Sequence, residues 1–373
     1  MRMVITLKKH SDSLTSTQLA IIIMGTILGV SMLAIPRAII DKVGNAAPLA
    51  SLVGIGLSSI GLLGLIYLGK RFPQHTFIGY NKIILGKTIG SLFMIVYLML
   101  AVILIGLDTR QFAEVLVGGL LPNTPIHFSI FFMLLLCAVI NYSNVSTFAY
   151  IHFFYLPLII LPLLVVILPT FKDIEYYHLL PINGHNLSLN GFMSGVVTMM
   201  GGISNYFVIS MVIPYLKNPK KNAKGGIWGF FIGTFLVLLL NTVALGAFGD
   251  QKILEMMWPT LVLARMVEVP GEIVARIDAI FIISWIFAVF TTLLSYYFIV
   301  VRGVAEMINS KNYRFISVGT FLIAFLIALI PSDIYDVYNY LLFLWVGGVI
   351  FYILYVILLV VLAKILRKKG SAV

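Results

Sequence analysis

The sequence has few charged residues and a single cysteine. Charged residues make up 10% of its 373 positions, against about 25% in an ordinary soluble domain. Apolar residues make up 61%, and the mean hydropathy is +1.06. This composition excludes a water-soluble domain and indicates a polytopic membrane protein embedded in the lipid bilayer. Cys137 lies in an apolar run, so an internal disulfide is excluded and a thiol-based metal site is not expected.

Acidic residues are the scarcer charge, with 14 Asp and Glu against 25 Lys and Arg and a formal net charge of +11. The basic residues lie in short loops between apolar segments, and we therefore expect no nucleic-acid partner. The loops carry no nucleophile–base pair, zinc-ligand spacing, phosphate loop or cofactor fingerprint. An enzyme is thus the least expected class. The first apolar segment lacks a small-residue cleavage site, which predicts that it is not a removable signal peptide.

Ten apolar segments are predicted to cross the bilayer, each crossing requiring roughly 20 residues. They are 16–40, 45–69, 88–117, 126–141, 148–170, 190–213, 226–248, 276–301, 314–331 and 338–363. With a cytoplasmic amino terminus, the inner loops and termini carry 18 of the 25 basic residues, but only Asp12 and Glu306 of the 14 acidic ones. This asymmetry predicts an all-α transmembrane domain over 1–373 with both termini inside. In the outer connection 249–275 we predict a pair of short amphipathic helices.

The chain divides into two repeats of five segments, 16–170 and 190–363. Because five is odd, the two repeats have opposite orientations in the membrane, and five-plus-five inverted topology is a transporter architecture. The first helix of each repeat is predicted to be interrupted at a matching place. The interrupted stretches are Gly25-Thr26-Ile27-Leu28-Gly29 before Pro36 and Gly201-Gly202-Ile203-Ser204-Asn205 before Pro214.

Interrupted helices expose backbone groups that can bind a ligand. Glycine lets the backbone leave helical geometry, and the freed N–H and C=O groups suit the carboxylate and ammonium ends of a small zwitterion. The alternative is that these glycines only mark close helix contacts, as small residues often do in membranes. The matched positions in the two repeats favour interruption. The glycines of the second and seventh segments are instead predicted to serve packing; they are Gly54, Gly56, Gly61, Gly64, Gly225, Gly226, Gly229 and Gly233.

Short motifs follow one another in a characteristic order along nearly the whole chain. They are Leu14-Thr15-Ser16-Thr17-Gln18, Gly29 through Pro36-Arg37, Lys70-Arg71-Phe72-Pro73, Leu85-Gly86-Lys87, Leu121-Pro122-Asn123-Thr124-Pro125, Trp258-Pro259-Thr260 with Arg265, and Arg276-Ile277-Asp278 followed by Trp285. In order and spacing they resemble endospore germination receptor B subunits, the GerAB-type proteins of the amino acid–polyamine–organocation transporter superfamily. The resemblance implies a ten-helix LeuT-like fold in a spore inner membrane or bacterial cell membrane. It also implies a small germinant such as an amino acid, and receptor A and C subunits as partners.

Charged residues inside apolar segments are candidates for function. Asp108, Arg110 and Glu114 lie about 20 or more residues from the inner start of the third segment, which predicts that they reach the outer interface. A spacing of four predicts an Arg110–Glu114 pair. We expect a structural or gate salt bridge, with a proton relay as the alternative. Arg276 and Asp278 open the eighth segment at the outer face, where interface anchoring is the alternative to a gate role.

Hydroxyl groups are the remaining polar candidates near mid-depth. Tyr97, Thr291 and Thr292 can bond a substrate or a cation, although a membrane threonine often bonds only its own helix. His152 is expected near the cytoplasmic end as an ordinary histidine with satisfied nitrogens. The predicted ligand-binding set is Gly25, Thr26, Gly29, Tyr97, Gly201, Gly202, Ser204, Asn205, Thr291 and Thr292.

Three functions are compatible with these features. The first is a germinant-sensing receptor subunit, the second is a secondary transporter of amino acids or related organic cations, and the third is a structural membrane partner with a collapsed pocket. The resemblance favours sensing. We expect no cofactor, although hydroxyls in the eighth segment leave sodium coupling open. The sequence does not identify the germinant, because backbone groups that bind amino and carboxyl ends do not read the side chain.

Overall fold

The regular structure of the chain is helical. The computed structural model describes residues 13–184, 187–267 and 277–370, and its one isolated strand-like bridge joins Leu14 to Leu216. The helices are α1 (Ser16–Ile27), α2 (Ser31–Val43), α3 (Ala47–Arg71), α4 (Phe77–Leu85), α5 (Lys87–Gly119), α6 (Ile126–Ile140), α7 (Val145–Thr170), α8 (Leu189–Gly202), α9 (Ser204–Tyr215), α10 (Lys224–Phe248), α11 (Asp250–Glu255), α12 (Pro259–Met266), α13 (Ile277–Met307), α14 (Tyr313–Ala328), α15 (Ile334–Val349) and α16 (Val356–Ile365). A π-helical turn, Ile350–Tyr355, joins α15 to α16.

Several of these helices are long and apolar enough to cross a membrane. Within the described residues there are six such stretches: Met32–Arg71, Lys87–Gly119, Val145–Asp173, Pro219–Phe248, Ile277–Met307 and Ile334–Ile365. The pair α8 and α9 makes a seventh if it is one bent span. The apolar helices α1, α6 and α14 are shorter, with 12, 15 and 16 residues. The chain is therefore an all-α membrane protein, as its composition predicts.

The first predicted span is interrupted. Thr15 begins α1 with a capping box, because its side chain accepts from the Gln18 N–H and its own N–H donates to the Gln18 side chain. The helix ends at Ile27, and α2 begins at Ser31. The break is thus Leu28–Val30. Its position confirms the predicted interruption, and Pro36 lies beyond the break, inside α2.

The sixth predicted span is interrupted in the same way. Helix α8 ends at Gly202, Ile203 stands between the helices, and α9 continues at a bend of 43°. Here too the prediction of an interrupted helix is confirmed. Gly201 and Gly202 are the last residues of α8 and Gly25 lies within α1, so only Gly29 lies in a break.

Close helix contacts explain the glycines of the seventh segment. A Cβ at Gly225 would lie 2.0 Å from the backbone oxygen of Ser16, and one at Gly229 would lie 2.3 Å from that of Ala20. Any side chain at these positions would push α1 and α10 apart, which confirms their packing role. Gly56 in α3 has no heavy atom within 4 Å of an added Cβ, so the packing interpretation is wrong there.

Short helices connect the long ones on both sides. In the outer connection the predicted helix pair is confirmed as α11 and α12, and Thr260 at the start of α12 donates to the Met32 oxygen of α2 at 3.1 Å. The nine-residue helix α4 was not predicted. It is capped by Thr76 and buries Phe77 and Tyr80, although its neighbouring charges gave it the pattern of a loop.

Candidate functional site

The two helix breaks lie against each other. Asn205, at the start of α9, donates from Nδ2 to the backbone oxygen of Thr26 at 3.2 Å. The hydroxyl of Tyr296 on α13 donates to Asn205 Oδ1. Asn205 is 6% exposed and Thr26 is fully buried. One asparagine therefore joins both interrupted helices to the long helix α13.

Hydroxyl groups of α13 hold the carbonyl end of α1. Thr291 Oγ1 donates to the Gly25 oxygen at 3.1 Å, and Thr292 Oγ1 donates to the Thr26 oxygen at 2.9 Å. Carbonyls in the last turn of a helix have no intrahelical partner, so these contacts satisfy groups that the break releases. The prediction that both threonines lie beside the first broken helix is confirmed. Thr291 also bonds its own helix through the Ala288 oxygen at 2.9 Å.

A buried histidine joins the same network. His152 on α7 contacts the Ser295 Oγ through Nε2 at 3.0 Å, and Ser295 Oγ lies 2.8 Å from Thr26 Oγ1. The other ring nitrogen bonds the Phe148 oxygen at 2.9 Å. Both nitrogens are thus satisfied, as predicted. An added Cβ at Gly25 would lie 3.4 Å from the His152 ring, so this histidine lies beside α1, and its predicted place near the cytoplasmic end stays a prediction.

The glycines at the breaks allow close approach rather than an unusual backbone angle. None of Gly25, Gly29, Gly201 and Gly202 is among the positive-φ glycines of the described chain. An added Cβ at Gly29 would lie 1.7 Å from Thr292 Oγ1, and one at Gly201 would lie 2.2 Å from Trp345 Cβ. At Gly202 it would meet the Ile35 side chain at 2.6 Å. A helix break and close packing are the two alternatives that the sequence offers for these glycines, and both are present at the two sites.

Two other predicted ligand residues have different surroundings. Ser204 Oγ donates to the Gly201 oxygen at 2.7 Å, within its own bend. Tyr97 on α5 is 1% exposed, its ring stacks on Phe351 with centroids 5.7 Å apart, and its hydroxyl faces Ser210 of α9. Tyr97 therefore belongs to an aromatic cluster with Phe77 of α4, at 5.2 Å. It does not contact Thr291 or Thr292 through any hydrogen bond found in this part of the chain.

The charged residues of α5 divide into two groups. Arg110 Nε lies 2.8 Å from Glu114 Oε1, which confirms the predicted pair. The Arg110 guanidinium also donates to the oxygens of Ala328 and Ser332, each at 3.2 Å. Arg110 therefore clamps α5 to the end of α14. Asp108 takes part in no ion pair or hydrogen bond within the described residues.

Asp108 is buried between helices, and its predicted depth at the outer interface stays a prediction. Asp108 is 7% exposed and lies within electrostatic range of the Tyr296 and Tyr352 hydroxyls. Helix α5 has 33 residues, or about 50 Å, and so exceeds the roughly 30 Å hydrocarbon core. Gln111, one turn further on and not predicted, donates to the Val30 oxygen in the first break at 3.4 Å.

The charges at the start of α13 are only partly described. Asp278 Oδ2 lies 3.9 Å from Arg265 Nε of α12. Arg276 lies outside the described residues, so its predicted gate role is not tested. The Asp278 contact joins α13 to the outer helix pair.

The Arg110 clamp predicts unequal effects for its two members. Glu114→Gln should lower the free energy of unfolding by only about 0.2–1 kcal/mol, because the carboxylate is 23% exposed and Arg110 keeps two carbonyl partners. Arg110→Met should cost more, since two carbonyls also lose their donor. Thermal unfolding of the purified variants measures both. Equal losses would show that the ion pair alone stabilises this contact.

Comparisons with known proteins agree with this architecture. The family model described as "Spore germination protein" matches residues 13–337. Spore germination protein YndE of Bacillus subtilis (strain 168) is 24% identical over 329 residues, which cover 88% of this chain and 90% of the relative. Spore germination protein A2 of the same organism is 26% identical over 325 residues, covering 86% and 87%. Both relatives are named as spore germination proteins.

A solved structure shows the fold. A Na⁺-coupled sialic acid symporter in a substrate-bound outward-open state superposes with a TM-score of 0.67 over 93% of this chain and 79% of the symporter. The sequence identity is 10%, so the likeness shows the fold alone. The chain is accordingly a multi-pass membrane protein with a transporter-like fold.

Proposed function

The chain belongs to the spore germination protein family, and from that premise we propose that it is a germinant-sensing receptor subunit. It binds a small amino acid-like ligand in a central pocket of transporter type and signals through partner subunits. The partners are the A and C subunits of a germination receptor, and the location is a spore inner membrane or a bacterial cell membrane. The relatives named as spore germination proteins support this assignment.

The observation that carries the proposal is the contact between the two helix breaks. The carbonyl end of α1 meets Asn205 of α9, and the amino-terminal end of α2 follows after the three residues of the break. Helix ends of opposite polarity suit the ammonium and carboxylate of a zwitterion. A ligand that enters between them must rearrange the Asn205–Thr26 bond. Ligand binding then shifts the two interrupted helices relative to each other, which supplies the signal.

We further propose ten transmembrane helices arranged as a five-plus-five inverted repeat. The breaks fall in the first predicted span of each repeat. The 40-residue stretch Met32–Arg71 supports two crossings, because it would extend about 60 Å if straight. It contains the turn Gly44–Ala46, which follows the end of α2. Gly44 has a φ of +54°, a backbone conformation at a helix end that glycine adopts readily.

The ten-helix topology predicts which positions a membrane-impermeant thiol reagent can reach. In a Cys137→Ala background, cysteines at the exposed positions Lys221 and Lys311 should react only from the cytoplasmic side, and one at Asn123 only from outside. The measurement is labelling of intact cells compared with inverted vesicles. Labelling of position 221 in intact cells would contradict the topology.

A secondary transporter for amino acids or related organic cations is the second candidate. It is favoured by the oxygen atoms beside the first break: the carbonyls of Gly25 and Thr26 and the hydroxyls of Thr291, Thr292 and Ser295. Such a set fits a sodium ion, which transporters bind through unwound carbonyls and hydroxyls. These five groups would hold the ion, and bound sodium would supply the driving force for uptake. At present each hydroxyl donates a hydrogen bond. To bind the ion, it would have to rotate so that its oxygen lone pairs face the ion.

One experiment separates sensing from transport. The deletion strain is tested for spore germination with each of the twenty common amino acids, and the purified chain is reconstituted into vesicles with each amino acid in radiolabelled form. We expect the deletion to abolish the response to at least one of them, and the vesicles to show no sodium-dependent accumulation. Sodium-driven accumulation would favour the transporter. A deletion strain that germinates normally with every compound would refute the receptor assignment.

A further inference from the structure

A buried carboxylate beside the two breaks has no partner of its own. Asp108 is 7% exposed, and no described residue forms an ion pair or hydrogen bond with it. The nearest cation along its helix, Arg110, is already bound to Glu114 at 2.8 Å and to two backbone oxygens. Burying a carboxylate without a partner is costly. Charges retained inside a membrane protein usually serve its ligand or ion.

The surroundings of Asp108 connect it to the breaks. The Tyr296 hydroxyl lies within electrostatic range of its carboxylate and donates to Asn205, which in turn donates to the Thr26 oxygen. One helical turn along α5, Gln111 donates to the oxygen of Val30, the residue before α2. Asp108 and Gln111 are three residues apart and therefore share a face of α5. This face is turned toward the interrupted first helix.

The amino-terminal end of α2 is a second electrostatic feature of this region, and its partial charge is positive. Helix α2 has 13 residues, and its amino-terminal end has no side-chain cap among the described residues. An uncapped helix start favours a negative group. Gln111 reaches the residue before this end, Asp108 lies on the same face of α5, and none of the described backbone amides bonds to the Asp108 carboxyl group. A ligand with both charges could bridge the two.

We propose that Asp108 is a specificity-determining residue whose carboxylate binds the ammonium group of the ligand, while the carboxylate of the ligand binds at the start of α2. The inference rests on the proposed sensing function and narrows it to primary ammonium compounds. A carboxylate partner excludes ligands that carry only negative or neutral groups, because they would leave Asp108 buried without a counter-charge. Tyr352, in the π-helical turn, is a second tyrosine within electrostatic range of Asp108.

The test uses spores that carry the complete receptor, so that partner subunits are present. Strains with Asp108→Asn, Asp108→Glu and Glu255→Gln are compared with the wild type and the deletion strain for the amino acid response that the deletion abolishes. Asn matches Asp in size without its charge. Glu255→Gln removes one exposed negative charge from the outer helix α11 and serves as the control. Immunoblots of inner membranes measure the amount of each variant.

We expect Asp108→Asn to raise the half-maximal germinant concentration by roughly 10- to 100-fold at normal protein level, as for loss of a hydrogen bond to a charged group. Asp108→Glu should retain part of the response, and Glu255→Gln should not change it. The decisive readout is selectivity between the amino acid and its 2-hydroxy acid, in which a hydroxyl replaces the ammonium. The wild type should discriminate strongly, and Asp108→Asn should lose most of that preference.

Several outcomes would overturn the inference. If the half-maximal germinant concentration of Asp108→Asn is normal, the Asp108 carboxylate does not bind the ligand, and the receptor assignment is unaffected. A weakened response with unchanged preference between the amino and hydroxy acids would assign Asp108 to folding or proton transfer. An equal response of the wild type to both acids would exclude ammonium recognition. A deletion strain that germinates normally refutes the proposed function itself, so the two failures are distinguishable.

Discussion

Replacing Gly29 by alanine is expected to disrupt the centre of the protein. The added Cβ would lie 1.7 Å from Thr292 Oγ1 and 2.6 Å from Thr292 Cβ. Rotation of the threonine side chain can move its hydroxyl but not its Cβ, so α13 and the first break must separate. Overpacking of this kind costs about 1–3 kcal/mol and occasionally more. We expect a large loss of thermal stability in detergent and of the germination response.

A pair of further variants tests the cause of this loss. Gly56→Ala adds the same methyl group to α3, where no heavy atom lies within 4 Å, and should leave stability unchanged or slightly raised because alanine favours helix. Gly29→Ala combined with Thr292→Gly removes both clashing atoms and should recover part of the stability lost in the single variant. If the double variant is as unstable as the sum of its single changes, the close approach is not the reason for Gly29.

Replacing Asn205 by leucine is expected to weaken the ligand response strongly while the protein still accumulates. Leucine has a similar size but can neither donate to the Thr26 oxygen nor accept from Tyr296. Thr26 keeps its bond from Thr292, whereas the buried Tyr296 hydroxyl loses its partner, at a cost of about 1–3 kcal/mol. Since about 1.4 kcal/mol corresponds to a tenfold change in an equilibrium constant, the half-maximal germinant concentration should rise by about tenfold or more.

Two comparisons make this prediction specific. Tyr296→Phe removes only one of the two bonds of Asn205 and should weaken the response less than Asn205→Leu. Thr320→Val in α14 also removes a buried hydroxyl, but that hydroxyl bonds only the Ile316 oxygen of its own helix at 2.9 Å. It should leave the response unchanged. Equal responses of Asn205→Leu and Thr320→Val would mean that the link between the two breaks does not carry the signal.

The fold class follows from the sequence because the bilayer imposes simple requirements. Long apolar segments must form helices to satisfy their backbone groups, and the ten predicted segments all contain helix. The two interruptions were also predictable, since glycines occur at matching places in both halves. The four-residue spacing of Arg110 and Glu114 likewise predicted their contact, because such pairs meet on one helix face.

The burial of individual residues and the identity of their neighbours depended on the tertiary structure. Nothing in the local sequence shows that α4 buries Phe77 and Tyr80, because its burial arises from distant helices. The position of His152 beside Gly25 and the absence of a described partner for Asp108 depend on how α5, α7 and α13 surround the first break.

The sequence by itself determined a helical membrane protein with two interrupted helices and a transporter-like architecture. These properties depend on hydrophobicity and backbone geometry, which are local. Only the tertiary structure decided that Asn205 joins the two breaks, that Thr291 and Thr292 bind the freed carbonyls, and that Asp108 lies beside them. Hydrogen bonds between residues 179 and 266 positions apart depend on helix packing, for which residue spacing along one helix carries no information.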